Sequence, residues 1–276
     1  MGLVAFQMSV TDIKNISMSL VAADPAYKVV VDNSPSDDSK LPFKELGWSY
    51  IHNPSNPGFG SSHNLIFELY SNQAEYHLIV NPDVLFTKEV IEELVAFLNN
   101  NQQAGCVMPK IYYPNGSIQR LAKLLPFPTD LIARRLPVEF IRNRVNHRLE
   151  LHSANYNSGI FKVPFVSGCF LLFRSRVIEK VGFFDERFFM FYEDVDLGWR
   201  LNLLGYKVIY EPKSITFHKH HASIDKFGKY HENFLLERNA LMSVYKNYEA
   251  ASLDRVLPAA MALTVRRSIT RGELNP

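Results

Sequence analysis

Y-K-V-V-V-D-N-S-P, residues 27–35, is a run of apolar and β-branched residues that turns abruptly polar at Asp32. A strand buried on both faces of a parallel sheet shows this pattern. Residues 76–83, Y-H-L-I-V-N-P-D, repeat it. Apolar residues at helical spacing separate the predicted strands, at residues 13–22, 61–70 and 88–98. Strand and helix thus alternate up to about residue 100, which predicts an α/β fold with a mostly parallel, doubly wound sheet flanked by helices.

Length and composition limit the classes of function. The chain has 276 residues, 47% of them hydrophobic, and can bury the core of one large domain. Its net charge of +2 gives no general attraction for nucleic acid. Cys106 and Cys169 supply no disulfide framework and no zinc spacing. Residues 1–10 lack the features of a signal peptide, and no apolar stretch approaches the ~20 residues of a membrane span. We therefore expect a cytoplasmic protein without a nucleic-acid partner.

Two acids follow predicted strands, at the edge of the sheet where α/β proteins bind ligands. With oxygens from a substrate, the carboxylate of Asp83 would suit a hard divalent cation, although N-P-D is also a common turn that Asp83 would merely cap. Asp32 is placed to accept a hydrogen bond from a nucleotide base or ribose, although D-N-S-P is also a good turn. The residues alone leave both alternatives open.

Residues 182–204 read G-F-F-D-E-R-F-F-M-F-Y-E-D-V-D-L-G-W-R-L-N-L-L. An aromatic run here ends in three acids, Glu193, Asp194 and Asp196, at the start of a predicted helix. One face of that helix is expected to carry Val195, Trp199 and Leu203. Acids in a first turn stabilise the positive end of the helix dipole, and this alone would explain them. Alternatively, the rings exclude water around a carboxylate with a raised pKa, as a catalytic base requires.

Glycines and histidines provide two weaker signals. Gly58 and Gly60 lie in a loop rich in Pro, Gly and Asn, where they allow a ligand to approach the backbone or simply form a turn. Of the histidines at 218, 220 and 221, His218 is the best placed to bind a metal or phosphate because it follows the apolar run 215–217. The other two are expected at the surface.

Basic residues concentrate in two segments. Five arginines between residues 134 and 148 would suit a phosphate-bearing acceptor or an anionic membrane surface, or would form the solvated face of an amphipathic helix. The tail from residue 250 is expected to form a basic amphipathic helix. These segments predict peripheral contact with a membrane.

The order of these segments resembles the inverting nucleotide-sugar glycosyltransferases of family 2, and among them the rhamnosyltransferase branch. The segments that match are V-V-V-D-N-S at 29–34, N-P-G-F-G-S-S-H-N at 56–64, L-I-V-N-P-D-V at 78–84, V-S-G-C-F-L-L-F-R at 166–174 and G-F-F-D-E-R-F-F-M-F-Y-E-D-V-D-L-G-W-R-L at 182–201. Weaker matches are H-K-H-H-A-S at 218–223 and E-R-N-A-L at 237–241. The sequence departs from the family at Gln7-Met8-Ser9, where a T-Y-N-like group is usual, and at His221, where glycine is usual.

The resemblance implies roles for individual residues. Asp194 would be the general base and Glu193 its catalytic neighbour, while Asp83 and His218 would hold Mg²⁺ or Mn²⁺. Residues that would bind the nucleotide sugar are Asp32, Asn33, Gly58, Gly60, Asn64, Asn81, Ser167 and Gly168.

The resemblance also implies a GT-A fold, which has a Rossmann-like sheet, and a domain division. A single GT-A domain would cover residues 1–248, with a nucleotide-sugar-binding half at 1–104 and an acceptor or catalytic half at 105–248. A basic helical tail would cover residues 249–276.

The implied reaction is transfer of a sugar, L-rhamnose from dTDP-rhamnose or a sugar from a UDP donor, with inversion. The acceptor would be a saccharide or lipid-linked molecule of cell-envelope polysaccharide synthesis, met at the inner face of the cell membrane. Two alternatives remain: a nucleotide-sugar-binding protein without turnover, and a metal-dependent phosphohydrolase that uses Asp32, Asp83 and the histidines.

Overall fold

A nine-stranded sheet forms the centre of the computed structural model, which describes residues 1–219 and 228–272. The strands are β1 Gly2–Ala5, β2 Val29–Asp32, β3 Ser49–His52, β4 Tyr76–Val80, β5 Val84–Leu85, β6 Ala104–Tyr112, β7 Ala122–Lys123, β8 Phe161–Val163, β9 Phe165–Val166, β10 Phe170–Arg174 and β11 Lys207–His218. The helices are α1 Val10–Ala23, α2 Lys40–Glu45, α3 Phe59–Tyr70, α4 Lys88–Asn100, α5 Pro128–Arg135, α6 Glu139–Leu149, α7 Ser175–Val181, α8 Glu193–Leu203, α9 Lys229–Asn247 and α10 Ala250–Thr270. His220 and His221 lie outside the described residues.

The sheet confirms the predicted mostly parallel α/β architecture. Its strand order is β3-β2-β1-β4-β10-β6-β11-β5, with β8 paired to β11, while β7 and β9 form a separate ribbon. Strands β3, β2, β1 and β4 run parallel, as do β6 and β11. Strand β10 runs antiparallel between β4 and β6.

The reversed direction of β10 helps to build the site. Because β10 is antiparallel to β4, its first residue, Phe170, lies opposite Val80, the last residue of β4. The backbone N–H of Asn81 donates to the carbonyl of Cys169 at 2.8 Å. Residues 167–169 therefore lie beside the 81–83 turn.

Strand β11 is the longest strand, with 12 residues from Lys207 to His218. Its second half, from Ser214 to His218, alternates between buried and exposed side chains, the period of a strand with one covered face. An irregular pairing between Glu211 and Ile215 separates the two halves. The extension brings His218 opposite Val84 of the short strand β5.

The predicted C-terminal helical segment is confirmed and packs onto the rest of the protein. Helix α10 contributes Val256 and Ala260 to a buried cluster with Leu131 of α5 and Val244 of α9. Arg267 of α10 also pairs with Glu237 of α9 at 2.7 Å. No helix within the described parts of the chain is both long and apolar enough to cross a membrane.

One local expectation is wrong. The predicted apolar face of α8 holds for Val195 and Trp199, but Leu203 is 74% exposed at the end of the helix.

The segment that departs from the family at residues 7–9 follows the first strand. Strand β1 ends at Ala5, and Gln7 adopts a positive φ of 48°. The chain turns there, and the Gln7 N–H donates to the Ser34 hydroxyl oxygen.

Candidate active site

A single cavity of about 410 Å³ collects most of the predicted site residues. This volume lies within the range of small-molecule binding sites, ~300–1,000 Å³. The predicted residues that line it are Asn33, Gly58, Asn81, Asp83, Ser167, Gly168, Glu193, Asp194 and His218. The cavity is therefore bounded by strand ends of the first half and by the start of helix α8.

Asp194 is held at the first turn of α8. Its two carboxylate oxygens accept hydrogen bonds from the backbone N–H of Gly168, at 3.1 Å, and of Val195, at 2.8 Å. Burial nevertheless raises the pKa of Asp194 above the usual aspartate value. A fixed carboxylate with a raised pKa that faces a cavity can accept a proton from a bound hydroxyl group.

Glu193 is the second carboxyl group at this end of the cavity. Burial raises its pKa, and the negative charge of Asp194 raises the pKa of Glu193 further. Its Oε2 atom has no hydrogen-bond partner within the described part of the protein. A neutral Glu193 beside an ionised Asp194 is the arrangement that these shifts favour, because two adjacent buried carboxylates repel each other.

The third acid of the first turn has a structural role. Asp196 is fully buried and pairs with Arg200 at 2.8 Å and with Lys246 at 2.7 Å. Arg200 also donates to the carbonyls of Val181 and Gly182, at 2.9 and 2.6 Å. Ion pairs within the protein thus hold Asp196, whereas Asp194 faces the cavity.

A histidine–aspartate pair lies elsewhere on the cavity wall. The Nε2 atom of His218 is 3.2 Å from an Oδ1 oxygen of Asp83, and both side chains are more than nine-tenths buried. Gln119 fixes the histidine by donating from its side-chain nitrogen to the His218 carbonyl at 2.6 Å. The Oε1 atom of Gln119 lies 2.9 Å from His218 Nδ1 and accepts the hydrogen of the Nδ1–H group. In the neutral ring, the lone pair of Nε2 is therefore directed towards Asp83.

This donor set fits a divalent cation. The 3.2 Å separation of Nε2 and Oδ1 is close to the ~3 Å between neighbouring ligands of an octahedral ion with ~2.1 Å bonds. Within residues 1–219 and 228–272, no three His, Cys, Asp or Glu side chains lie close enough together to hold one metal ion. An ion at this pair would take its other ligands from water and a substrate, as Mg²⁺ does with diphosphates.

The sequence pattern of glycosyl transferase family 2 matches residues 23–182. The chain belongs to glycosyl transferase family 2. One relative, the N-acetylglucosaminyl-diphospho-decaprenol L-rhamnosyltransferase of Mycobacterium tuberculosis, is 27% identical over 225 residues, 75% of this chain and 71% of the relative. The rhamnosyltransferase WbbL of Escherichia coli is 26% identical over 230 residues, 79% of this chain and 82% of WbbL. The predicted resemblance is confirmed.

Solved structures share the fold of this family 2 protein. The mannosyltransferase PcManGT of Pyrobaculum calidifontis, in complex with GDP-Man and Mn²⁺, superposes with a TM-score of 0.57 at 12% identity, over 100% of this chain and 75% of that protein. GalNAc-T7 with UDP, GalNAc and Mn²⁺ gives a TM-score of 0.55 at 12% identity, over 79% of this chain and 43% of that protein. At these identities the likeness confirms the predicted GT-A fold.

Three predicted nucleotide-sugar residues of this family 2 chain do not line the cavity. Asp32 is fully buried, and its carboxylate already accepts hydrogen bonds from Ser34, Ser39 and Tyr50. Contact between Asp32 and a nucleotide base would require those bonds to rearrange. Asn64 instead joins α3 to the loop after α7, because its side chain exchanges hydrogen bonds with the backbone of Phe184 at 2.9 and 3.0 Å. Gly60 packs against the same loop, and an added Cβ there would be 3.0 Å from Phe184 Cβ.

The cavity also contains residues that were not among the predicted catalytic, metal-binding or nucleotide-sugar-binding residues. Phe6 and Asn56 line it among the strand-end residues, and Lys123 and Arg134 line it on the side formed by β7 and α5. Arg134 lay within a segment for which acceptor binding and a solvated helix face were equally plausible. The sequence did not distinguish Lys123, because the strand on which it lies has only two residues. It did not distinguish Gln119 either, because this residue contacts His218, which is 99 positions away along the chain.

Proposed function

We propose that this chain transfers L-rhamnose from dTDP-rhamnose, with inversion, to a saccharide or lipid-linked acceptor of cell-envelope polysaccharide synthesis. The observation that carries the proposal is that one cavity contains both the Asp83–His218 pair and the carboxylate of Asp194. The names of the two rhamnosyltransferase relatives support the choice of sugar. The proposal includes a UDP-sugar as the alternative donor.

In the proposed reaction, Asp194 accepts the proton of the acceptor hydroxyl as that oxygen forms a bond to the anomeric carbon. The bond between this carbon and the diphosphate oxygen breaks, and its electron pair leaves with the nucleoside diphosphate. Attack opposite to the leaving group inverts the configuration with a single base. The Phe189–Tyr192 segment, which lines the cavity beside Asp194, would exclude water that competes with the acceptor.

Asp83 and His218 would hold Mg²⁺ or Mn²⁺, with Gln119 keeping the His218 ring in place. When bound, the ion would supply positive charge for the departing diphosphate. The Mn²⁺ that accompanies GDP-Man in PcManGT and UDP in GalNAc-T7 supports this assignment.

Lys123 and Arg134 favour an acceptor that carries negative charge. Both line the cavity from β7 and α5, whereas the Asp83–His218 pair lines it from β11 and the turn after β4. Two cations are suited to a phosphate or diphosphate, the group that joins sugar and lipid in the acceptor named for the Mycobacterium tuberculosis relative. We therefore propose a diphosphate-linked lipid acceptor in preference to a free saccharide.

The same proposal places the protein in the cytoplasm, at the inner face of the cell membrane. Met261, Val265 and Ile269 recur every fourth residue along α10, and each is more than half exposed. Arg266 and Arg271 lie on the same helix end and are also exposed. An exposed apolar stripe with adjacent arginines is suited to the surface of an anionic bilayer.

Vesicle sedimentation tests the membrane contact. We expect the protein to sediment with phosphatidylglycerol vesicles and to remain in the supernatant with phosphatidylcholine vesicles. Val265→Glu should abolish sedimentation, whereas Leu69→Glu, at an exposed leucine of α3, should not. Equal sedimentation of both variants with the wild type would contradict the assignment of this surface.

A donor screen followed by a transfer assay tests the reaction. Thermal unfolding with each nucleotide sugar and Mn²⁺ should show the largest stabilisation with dTDP-rhamnose. Release of dTDP should then depend on an added diphosphate-lipid acceptor, and the product should have the inverted anomeric configuration. Donor cleavage at full rate without any acceptor would instead support the phosphohydrolase, and binding without turnover would support the non-catalytic protein.

A further inference from the structure

The backbone before Asp194 adopts conformations that residues with a Cβ atom rarely take. Phe189, Phe191 and Tyr192 have φ values of 63°, 70° and 72°. Phe189, with ψ of −64°, is the centre of a γ-turn that the Met190 N–H closes onto the Phe188 carbonyl at 2.7 Å. This form of γ-turn is rare and strained, so the loop persists only if its surroundings hold it.

The side chain of Asn239 on α9 supplies much of that support. Its amide nitrogen lies 2.8 Å from the Phe188 carbonyl, 2.8 Å from that of Met190 and 2.7 Å from that of Phe191. Asn239 is fully buried, so these carbonyls have little access to water as an alternative donor.

Arg238 orients Asn239 and binds the same loop. Its Nε donates to Asn239 Oδ1 at 2.8 Å, which turns the amide nitrogen towards the carbonyls. One of its terminal nitrogens donates to the carbonyls of Arg187, at 3.1 Å, and Phe188, at 2.9 Å. The N–H of Phe59, at the start of α3, donates to the remaining carbonyl, that of Phe189, at 2.7 Å. Each carbonyl from 187 to 191 thus accepts a hydrogen bond from outside the loop.

The loop leads directly into the first turn of α8. Tyr192 is the residue before that helix, and its carbonyl accepts the first helical hydrogen bond, from Asp196, at 3.0 Å. Glu237, adjacent to Arg238, also pairs with Arg135 of α5 at 2.7 Å, which connects α9 to the helix that carries Arg134. The E-R-N segment therefore joins the loop before Asp194 to the wall that contains Arg134.

From these contacts we infer that Asn239, oriented by Arg238, is a positioning residue for Asp194. It locks residues 188–192, three of which have positive φ, in this conformation and so fixes where the carboxylate enters the cavity. The catalytic role of Asp194 in this inference rests on the proposed function, whereas the locking of the loop by Asn239 does not depend on it. Asn239 itself contacts no substrate in this scheme.

The test compares Asn239→Ala with Asn247→Ala. Asn247 lies two turns further along α9, and its side chain donates to the Ser243 carbonyl at 2.8 Å and to Asp196 of α8 at 3.4 Å, so it reaches α8 without bonding to the loop carbonyls. We expect Asn239→Ala to lower kcat about 100-fold, as ~1 Å displacements of a catalytic group can do. The KM for the donor should change by less than about threefold, and Asn247→Ala should resemble the wild type. A glycine adopts positive φ without strain, so Phe191→Gly should restore part of the lost kcat in the Asn239→Ala protein while lowering kcat in the wild type.

Amide hydrogen exchange of residues 187–193 gives a readout that needs no substrate. Exchange there should accelerate at least tenfold in Asn239→Ala and remain unchanged in Asn247→Ala. If Asn239→Ala does not fold, kcat and amide exchange are measured on Asn239→Asp and Arg238→Met instead. Unchanged exchange together with an unchanged kcat would overturn the inference. If exchange is faster in Asn239→Ala but the wild type transfers no sugar, the proposed function is refuted and the locking of the loop by Asn239 still holds.

Discussion

The contact between Gly58 and the loop before Asp194 gives the sharpest prediction of the proposed account. Gly58 has φ of 100° and ψ of 178°, a conformation that residues other than glycine rarely adopt. A Cβ built on Gly58 would lie 2.7 Å from Phe189 Cδ2 and 2.8 Å from Phe189 Cα, and nearer still to the Phe189 carbonyl oxygen. In Gly58→Ala, therefore, either α3 or the loop must move.

Ordinary contacts of a Cβ atom begin near 3.4 Å, so relief of the closest contact, with the Phe189 carbonyl oxygen, requires the two segments to separate by about 1.1 Å. Backbone strain and overpacking together should cost about 2–4 kcal/mol in the free energy of unfolding. A shift of this size at the start of α8 displaces Asp194, and a ~1 Å displacement is worth roughly 100-fold in rate. We expect kcat to fall by one to two orders of magnitude.

The assay combines urea unfolding with initial rates of dTDP release. The matched control is Gly116→Ala, because Gly116 also has a positive φ of 81° but no atom within 4 Å of an added Cβ. This control should lose only about 1 kcal/mol of stability and keep its kcat. A Gly58→Ala protein with wild-type kcat would refute the claim that the loop position governs catalysis.

Three further predictions follow from the site and its packing. The pKa of Glu193 is higher in the folded protein than in the unfolded chain, so its contribution to stability is complete at acidic pH and is lost as the pH rises through the folded-state pKa. Urea unfolding should show that the free energy of unfolding falls more steeply between pH 5 and 9 in the wild type than in Glu193→Gln. Equal slopes in the two proteins would contradict a buried neutral carboxyl group. Asp83→Ala should lower transfer at least 100-fold, and EDTA should reduce the wild type to a similar rate without a further effect on the variant; full activity in EDTA would exclude the proposed ion. Gly198→Ala places a Cβ 2.9 Å from the Pro164 carbonyl and should cost about 1–3 kcal/mol on urea unfolding, whereas a stability equal to the wild type would show that α8 can move away from β9.

Local patterns carried most of the fold prediction. The runs 29–31 and 78–80 are apolar because both strands are buried in the sheet, and the polar residues that follow each run mark where the strand ends. The direction of β10 could not be predicted in the same way. Its residues 170–174 are all buried whichever way the strand runs, and only the pairing with β4 and β6 decides the direction.

The site was predictable where residues follow strands and unpredictable where distant segments meet. Asp83 lies in a turn directly after β4, and Asp194 opens α8, so both were indicated by position. Asp32 satisfies the same pattern, yet the hydroxyls of Ser39 and Tyr50 reach its carboxylate from other segments. The role of Asn239 depends on carbonyls 48–51 positions away, and no spacing in the sequence reports such contacts.

In the proposed mechanism, Asp194 removes the acceptor proton in a cavity whose donor site is built by other residues. Calorimetric titration of Asp194→Asn with dTDP-rhamnose and Mn²⁺, beside single-turnover transfer to the acceptor, separates proton removal from donor binding. We expect a donor affinity within about threefold of the wild type and a rate of transfer at least ~100-fold lower, the usual contribution of a general base. Transfer that persists at the wild-type rate, or donor affinity that falls as much as the rate does, would contradict this mechanism.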